Sequence, residues 1–366
     1  MSQSWRRDRF VATGRRLGAA GVALAIAVSL LWPMAGSAQD NDDAGTPAAS
    51  PAASPAASPA ASPSMAVVLG SAVAYLEGIQ GEDGGFPGFE GTSDPGVTAD
   101  ATIALAAAMT AGIDAVDAID GAIAYLDANA AAYVATGPGQ RAKVVLAVVS
   151  VGLDPALLGG EDQVAALLAE VPADGLAGSG TYDSALVTLA LVGAGEREAA
   201  AALAGRFGAF VTPEGSWAFD GSTAAGTGDT NTTALVVQAL VAAGVSSGPE
   251  IDGALAYLGQ AQAAGGGFAY QAADPLVPDA NSTALAIQAL AVSGADMTSE
   301  APAAALAALA AYQNPSGAFR YTAETPEDNL FATVQAIPAL VGLGLPIVSV
   351  TSPGTPAASP VALAAD

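Results

Sequence analysis

The stretches DANSTALAIQAL (residues 279–290) and DTNTTALVVQAL (residues 229–240) are nearly identical and lie 50 residues apart. Each passes from a polar start into an apolar run, and a glycine follows soon after the run. Four similar runs occur elsewhere, and the six glycines are Gly112, Gly152, Gly195, Gly244, Gly294 and Gly344. Self-similarity at a spacing of 40 to 50 residues is typical of stacked structural units. The sequence therefore predicts six repeats.

Each repeat contains two helical patterns of different character. The run before the glycine is apolar on nearly every side, as expected for a buried helix that a glycine terminates. The second pattern, such as GALAYLGQAQ (residues 253–262), keeps a polar face. Six such pairs predict an all-α fold, an α/α toroid in which an inner and an outer ring of helices surround a central hub. We place this domain at residues 65–346.

The two ends of the chain differ from this domain in composition. Residues 1–38 combine five arginines with an apolar run and small residues, a pattern typical of an export signal peptide. An uncleaved signal anchor is the alternative. Residues 39–64 predict a disordered Pro/Ala/Ser linker, and residues 347–366 a flexible tail. We therefore expect a secreted or cell-surface protein that contacts a membrane only through an uncleaved anchor.

Charge and composition remove several classes of function. The formal net charge is −25, and it becomes −29 without the signal because five cations and 34 acids remain. This charge, with no basic cluster, argues against nucleic acid as a partner. The chain has no cysteine and no histidine, which removes thiolate nucleophiles, the commonest general base and the usual zinc ligands. The sequence predicts no metal site and does not identify a cofactor.

Four loops between an outer and an inner helix each carry two aromatic residues. The first aromatics are Phe86, Trp217, Phe268 and Phe319, and the second are Phe89, Phe219, Tyr270 and Tyr321. In three loops a glutamine stands six residues before the first aromatic, at Gln80, Gln262 and Gln313. This pattern resembles the QW repeat of squalene cyclases. The six-pair layout over residues 65–345 is similar to the terpene cyclase and protein prenyltransferase toroid superfamily.

The resemblance carries expectations about structure and chemistry. In that family the glutamine and the aromatic clamp helix ends, which implies a structural role for Trp217 and Phe268; a ring of aromatics that includes Tyr270 is also suited to lining an apolar pocket. Class II cyclases protonate an alkene with an Asp-x-Asp-Asp-Thr-Ala run, and the matching run begins at Asp229 but has Asn231 as its central residue. An amide has no proton to give at that acidity. The zinc site of prenyltransferases needs Cys and His, whereas cobalamin carriers use a similar ring without catalysis.

Polar residues cluster where the inner helices are expected to begin. We expect Asn231, Thr232, Asn281 and Ser282 to satisfy free N–H groups of the helix starts, and Asp229 and Asp279 to complement the helix dipole. Counting back from the terminal glycines places Asp100 and Asp183 in register with Thr232 and Ser282, at one rim of the hub. The predicted ligand-binding residues are Asp100, Asp183, Asp229, Asn231, Asp279, Asn281, Trp217, Phe268 and Tyr270.

Three hypotheses about function follow. The first is an exported toroid without catalysis that binds an apolar, amphipathic or bulky small molecule, or a partner surface, through its hub and rim. The second is an enzyme, either a divergent cyclase that uses Asp229 or a glycan hydrolase or lyase in which Asp100 and Asp183 act as acid and base. Arg141 and Lys143 are then available to bind an anion, or they pair with local acids. The third is a structural or adhesive module whose hub is filled by its own side chains.

Overall fold

The computed structural model describes residues 64–348. The predicted signal peptide, the linker before Ser64 and the tail after Val348 lie outside the described residues. Within the described range the chain forms α1 Met65–Ile79, α2 Pro95–Thr110, α3 Val116–Val134, α4 Pro138–Ser150, α5 Gln163–Glu170, α6 Thr181–Gly193, α7 Arg197–Ala204, α8 Thr230–Ala242, α9 Pro249–Ala261, α10 Ala280–Val292, α11 Glu300–Ala310 and α12 Leu330–Val341. Two 3₁₀ helices, Pro155–Gly160 and Phe207–Phe210, lie beside α5 and α7.

The even-numbered helices form a closed inner ring. Helix α2 packs on α4, α4 on α6, α6 on α8, α8 on α10 and α10 on α12, and α12 packs on α2. The odd-numbered helices lie outside this ring, each against one or two inner helices. Residues 64–348 contain isolated β-bridges and no β-sheet. The predicted α/α toroid of six helix pairs is therefore confirmed.

Small side chains allow the inner helices to pack closely on both sides. Five of the six inner helices place a fully buried alanine in the second turn, at Ala99, Ala142, Ala185, Ala234 and Ala284. Because alanine lacks the bulk that keeps helices apart, neighbouring helices approach without leaving voids. The apolar character of these helices on nearly every side is thus the consequence of burial between the hub, two neighbours and the outer ring.

Four inner helices begin at side-chain caps, and for α8 and α10 the sequence located the cap two or three residues too late. Asp229 accepts a hydrogen bond from the Thr232 N–H at 2.7 Å, and Asp279 accepts one from the Ser282 N–H at 2.8 Å. Asp94 and Asn329 cap α2 and α12 in the same way. The cap is therefore the aspartate itself, and not Asn231, Thr232, Asn281 or Ser282 as predicted.

The glycines that follow the inner helices have the left-handed backbone that terminates a helix. Five of the predicted six have positive φ, namely Gly112, Gly152, Gly195, Gly244 and Gly294. The sixth prediction is wrong, because α12 ends at Val341 and its cap is Gly342, with φ of 76°.

In three repeats a glutamine links two consecutive outer helices. The Gln80 side-chain amide donates at 2.8 Å to the Gly84 carbonyl in its own loop and at 2.8 Å to the Ala118 carbonyl in the first turn of α3. Gln262 forms the same pair of bonds within its loop and to α11. Gln313 donates to Gly317 and, at 2.7 Å, to the Val68 carbonyl of α1. This last bond joins the end of the domain to its beginning and closes the outer ring.

The first aromatic of each loop is buried between the two rings. Its backbone N–H donates to a threonine hydroxyl of the following inner helix, as from Trp217 to Thr233 and from Phe268 to Thr283. The Trp217 indole N–H also donates at 2.9 Å to the Phe207 carbonyl. Trp217 and Phe268 are 0% and 1% exposed. The structure therefore assigns both to the clamp and leaves neither accessible to a ligand, contrary to their place among the predicted ligand-binding residues.

The segment that follows α12 lies across the C-terminal end of the hub. The Leu345 N–H donates at 2.8 Å to the Gln238 side chain of α8. Pro346 lies against Gly193 of α6, and Ile347 is buried. The folded domain thus includes Ile347, which the sequence placed in the tail. Because this end of the hub is covered, the candidate site is at the opposite end, where the inner helices begin.

Candidate functional site at the mouth of the toroid

Helix geometry identifies the side chains that face the hub. In α2, α8, α10 and α12 a threonine hydroxyl binds the aromatic loop on the outer side. A residue two positions away is rotated by about 200° on the helix and so faces the hub. In α6 and α4 the residues at the level of these threonines are Ser184 and Arg141. The Arg141 guanidinium forms ion pairs with Glu161 and Glu170 on the outer side. The six side chains two positions further on, which we call the hub wall, are Asp100, Lys143, Leu186, Leu235, Leu285 and Gln335.

The residues two positions before this level form a second layer nearer the opening. We call this layer the rim, and it consists of Gly96, Gly139, Tyr182, Asn231, Asn281 and Phe331. The structure therefore brings Asn231 and Asn281 to the rim, as the sequence predicted. It places Asp100 deeper than predicted, because α2 has 16 residues where most inner helices have 13, and counting back from Gly112 misses the extra turn.

An ion pair occupies one side of the hub wall. The Lys143 ammonium lies 2.7 Å from a carboxylate oxygen of Asp100 on the neighbouring helix. Burial disfavours the charged ammonium, but Asp100 attracts it, and the net effect raises the pKa of Lys143. The two side chains keep 22% and 23% of their surface accessible, so the pair faces open space within the ring. Lys143 pairs with a local acid, which was one of its two predicted roles.

Two phenols lie near this ion pair. Burial raises the pKa of Tyr133 to about 12, and Lys143 opposes the shift while Asp100 adds to it. Burial likewise raises the pKa of Tyr182, with the same two charged groups acting on it. Both hydroxyls therefore remain protonated at neutral pH and are able to donate hydrogen bonds.

The hub wall is divided into a polar half and an aliphatic half. Gln335, Asp100 and Lys143 lie on the consecutive helices α12, α2 and α4, and Leu186, Leu235 and Leu285 lie on α6, α8 and α10. The Gln335 carboxamide oxygen accepts at 2.8 Å from Asn281, which extends the polar half to the rim.

Aromatic rings surround the opening above these layers. The carbonyls of Phe219, Tyr270 and Tyr321 accept from backbone N–H groups at the starts of α6, α8 and α10, so each second aromatic covers the start of the preceding inner helix. Phe89 stacks on Phe331 at a centroid distance of 4.8 Å, and Tyr182 stacks on Phe219 at 5.3 Å. Phe89 is 89% exposed and Tyr270 is 43% exposed. The mouth is therefore aromatic, and Tyr270 is placed where the sequence predicted a ligand contact.

The capping aspartates lie behind this aromatic layer. Asp229 and Asp279 are 2% and 3% exposed, and their carboxylates bind the helix starts. Burial raises the pKa of each to about 6, although the hydrogen bonds from the helix starts oppose the shift. The Tyr270 side chain lies near Asp229 and also opposes the rise of its pKa. Both residues therefore act as caps, and the predicted role of lining the rim is wrong for them.

Asp183 is occupied by contacts with the loop before α6, and its carboxylate lies against the rim residue Gly139. One carboxylate oxygen accepts from the Ser179 backbone N–H at 2.8 Å and from the Ser179 hydroxyl at 2.7 Å. Its position in the first turn of α6 is one residue past Tyr182, on a different face of the helix. Asp100 is paired with Lys143 and Asp183 with Ser179, although both carboxylates lie near Tyr182, and their role as an acid and base pair stays a prediction.

Between residues 64 and 348, no group of three His, Cys, Asp or Glu side chains is arranged to hold a metal ion. Over the same residues, each helix is too short or too polar to cross a membrane.

Sequence reasoning missed most of the hub wall. Lys143 was named only for its charge, and Gln335, Tyr182 and Phe331 were not identified. For Gln335 and Phe331 the signal is the threonine that follows a capping aspartate or asparagine by four residues, since the hub-facing positions are two residues before and after it. Lys143 and Tyr182 lie on α4 and α6, which begin at glycines and have Arg141 and Ser184 in place of that threonine.

Comparison with known proteins shows the fold. Neither a protein-family model nor a curated protein matches the sequence. Similar solved structures include the apo type II terpene cyclase MstE from Scytonema, at 17% identity and a TM-score of 0.56 over 75% of this chain and 96% of that one. A protein from Actinoplanes is similar at 18% identity and a TM-score of 0.56, over 76% of this chain and 99% of that one. An unsaturated glucuronyl hydrolase specific for heparin is similar at 12% identity and a TM-score of 0.58, over 76% of this chain and 96% of that one. The chain has the α/α-toroid fold that terpene cyclases and glycan-degrading enzymes share.

Proposed function

We propose that the protein binds a bulky amphipathic small molecule at the mouth of its toroid and does not convert it. The division of the hub wall into a polar and an aliphatic half carries this proposal. A ligand with two chemically different faces satisfies Asp100, Lys143 and Gln335 on one side and covers the small exposed fraction, 2–6%, of Leu186, Leu235 and Leu285 on the other. The aromatic pairs at the opening add contact surface, at about 0.5–1.5 kcal/mol for each aromatic pairing beyond its buried area.

A purely hydrocarbon ligand fits this wall less well. Each buried polar group that loses water without gaining a partner costs about 1–3 kcal/mol. Three polar side chains on the hub wall would lose water in that way, which offsets the gain from covering the three leucines. The ligand therefore needs hydrogen-bonding groups on one face.

The acids near the mouth support binding without chemistry. The position of the central acid in the cyclase run is Asn231, and the neighbouring carboxylates of Asp229 and Asp279 are buried caps. Asp100 is held by Lys143. MstE is a terpene cyclase and the heparin-specific protein is a hydrolase, and those activities belong to them. We further propose that the binding takes place outside the cytoplasm, since residues 1–38 resemble an export signal.

The test combines extraction of a bound ligand with a neutral dye. Protein purified without denaturant is extracted and analysed by mass spectrometry, and emptied protein is titrated with Nile red. We expect a stoichiometric co-purified amphiphile, Nile red binding, and weaker binding after Phe331→Ala. Leu157→Ala, exposed and away from the mouth, is the matched control. Folded protein that carries no ligand and binds no dye would contradict the proposal and favour the third hypothesis, a filled hub.

A second candidate is an enzyme that uses Asp229. The raised pKa of about 6 favours proton transfer by this carboxyl. Asp229→Asn keeps the cap and removes the acid, so conversion of a polyprenoid or a glycan by the wild type should disappear in this variant. Measured conversion would remove the binding proposal. If Asp229→Asn and Asp183→Asn each convert the substrate at the wild-type rate, neither carboxylate takes part in the reaction.

A further inference from the structure

We propose that the polar face of the ligand is a neutral polyhydroxylated head group, which Asp100, Lys143 and Gln335 select. This inference rests on the proposed function and specifies which chemistry the polar half of the hub wall recognises. Two observations support it. Some hydrogen-bonding atoms of these three side chains lack a partner, and the charges of Asp100 and Lys143 are paired with each other.

The polar half presents donors and acceptors side by side. Lys143 has three N–H groups and gives one to Asp100, whose second carboxylate oxygen is left to accept. The Gln335 oxygen is taken by Asn281, so its NH₂ group is left to donate. At the rim, the buried side-chain oxygen of Asn231 has no hydrogen-bond partner among the described residues. Such a mixture is matched by hydroxyl groups, because each hydroxyl both donates and accepts.

The paired charges disfavour ionic head groups. Lys143 is the one cation in the hub-wall and rim layers, and Asp100 neutralises it at 2.7 Å. An anionic head would meet that carboxylate in a chain of net charge −25. A cationic head would meet the Lys143 ammonium, whose raised pKa keeps it charged at physiological pH. Hydrogen bonds to an ion pair are stronger than those between neutral groups, so a neutral hydroxylated head gains from both partners.

The aromatic mouth suits the same chemistry. A cyclic polyol has C–H faces that lack hydrogen-bonding atoms, and these faces pack on aromatic rings while its equatorial hydroxyls point sideways. Phe331 and Tyr182 lie one helical turn above the hub wall, and each stacks on a loop aromatic. A ring-shaped head group is thereby bounded by aromatic side chains above and by the polar half below.

The test compares probes that share an octyl chain and differ in the head group. Octyl β-glucoside, octanoate and octylammonium are titrated into the full chain by calorimetry, below their micellar concentrations. We expect the glucoside to bind about tenfold or more tightly than either charged probe, which corresponds to one or two hydrogen bonds. Equal affinity for the three probes, or a preference for a charged one, would overturn the inference.

A double variant separates head-group selection from binding itself. Asp100→Leu with Lys143→Leu extends the leucine half around the ring and removes both charges together, a replacement that folded proteins commonly tolerate. It should lose the preference for the glucoside and bind Nile red more tightly than the wild type, because no polar group of the wall then loses water to the dye, whereas the exposed Glu77→Gln should change neither. An unchanged preference would contradict the inference. If circular dichroism shows that the double variant is unfolded, Gln335→Leu gives the same comparison. Failure of wild-type protein to bind Nile red would instead refute the proposed function.

Discussion

Two aspartates at the starts of inner helices act as helix caps and have raised pKa values. Asp229 and Asp279 are the first residues of the two repeated stretches, and the side chain of each caps the N-terminus of an inner helix. An N-cap stabilises a helix by about 1 kcal/mol, and burial of the carboxylate opposes that gain once the group is ionised. The pKa of each aspartate is raised because burial disfavours the ionised carboxylate more than the hydrogen bonds of the cap favour it.

The capping aspartates should make stability depend on pH. The pKa of Asp279 is about 6 in the folded protein against 3.8 ordinarily, so the folded state holds an extra proton between pH 4 and 6. Its contribution to the free energy of unfolding is therefore present at pH 4 and is lost as the pH rises through 6, by up to about 3 kcal/mol.

Asp279→Asn keeps the cap and removes the titration. We expect the free energy of unfolding of this variant, relative to wild type, to increase between pH 4 and pH 7 in urea denaturation. Asp120→Asn, at an exposed position of α3, is the control and should show a flat difference. A flat difference for Asp279→Asn as well would mean that the carboxyl titrates normally.

Gly317 shows how closely a loop approaches the next outer helix. Its φ is 94°, and a β-carbon there would overlap the Ser71 carbonyl of α1. Gly294 has a similar φ of 81° but open space around it. Gly317→Ala should therefore lower the melting temperature clearly more than Gly294→Ala, whose cost is about 1 kcal/mol of backbone strain. Similar melting temperatures for the two variants would contradict the close approach.

At the scale of the elements, the repeated loop is a connector between outer helices. Its glutamine bonds to the next outer helix, its first aromatic fills the space between the rings, and its second aromatic covers the start of an inner helix. The sequence resemblance had implied the clamp role, and the hydrogen bonds of Gln80, Gln262 and Gln313 confirm it.

The Gln313 clamp should contribute measurably to stability. Gln313→Leu removes two hydrogen bonds, at an expected cost of about 2 kcal/mol in the free energy of unfolding. Gln271→Leu removes only two long contacts of an exposed side chain and serves as the control. Equal stability of the two variants, measured by urea denaturation, would show that the clamp does not hold the ends together.

The elements show what the sequence was able to predict. The period, the helix pairs and the clamp are visible because they depend on spacing and on residue type. The hub-facing positions are not, because inner helices are apolar on nearly every side and so carry no periodic signal of which side faces the hub. Asp100 was misplaced because α2 is one turn longer than its equivalents. Burial of Trp217, Phe268, Asp229 and Asp279 depends on loops folding over them, which the pattern does not encode.

At the scale of the whole molecule, the domain is a ring that its own chain covers at one end. The segment Gly342–Ile347 crosses the C-terminal side, and the aromatic loops surround the other opening. A ligand therefore has one mouth through which to enter, and the polar and aliphatic halves of the hub wall lie beneath it.

Removal of the covering segment should destabilise the ring. Deletion of residues 343–366 removes buried Ile347 and the bond to Gln238, and we expect it to cost at least about 2 kcal/mol. Deletion of residues 349–366 alone should leave the unfolding midpoint unchanged. An unchanged midpoint for the longer deletion would show that the segment does not stabilise the hub.

Closure of the ring is the claim on which the mouth, the hub wall and the proposed ligand all depend. It is tested by the distance between spin labels at Val67→Cys and Ser316→Cys, two exposed positions in a chain without native cysteine. These positions adjoin the contact of Gln313 with Val68 and of Gly317 with Ser71. Double electron–electron resonance should give one short distance, well below the roughly 45 Å that six helix pairs in an open row would produce. A distribution centred near that long distance would contradict a closed toroid.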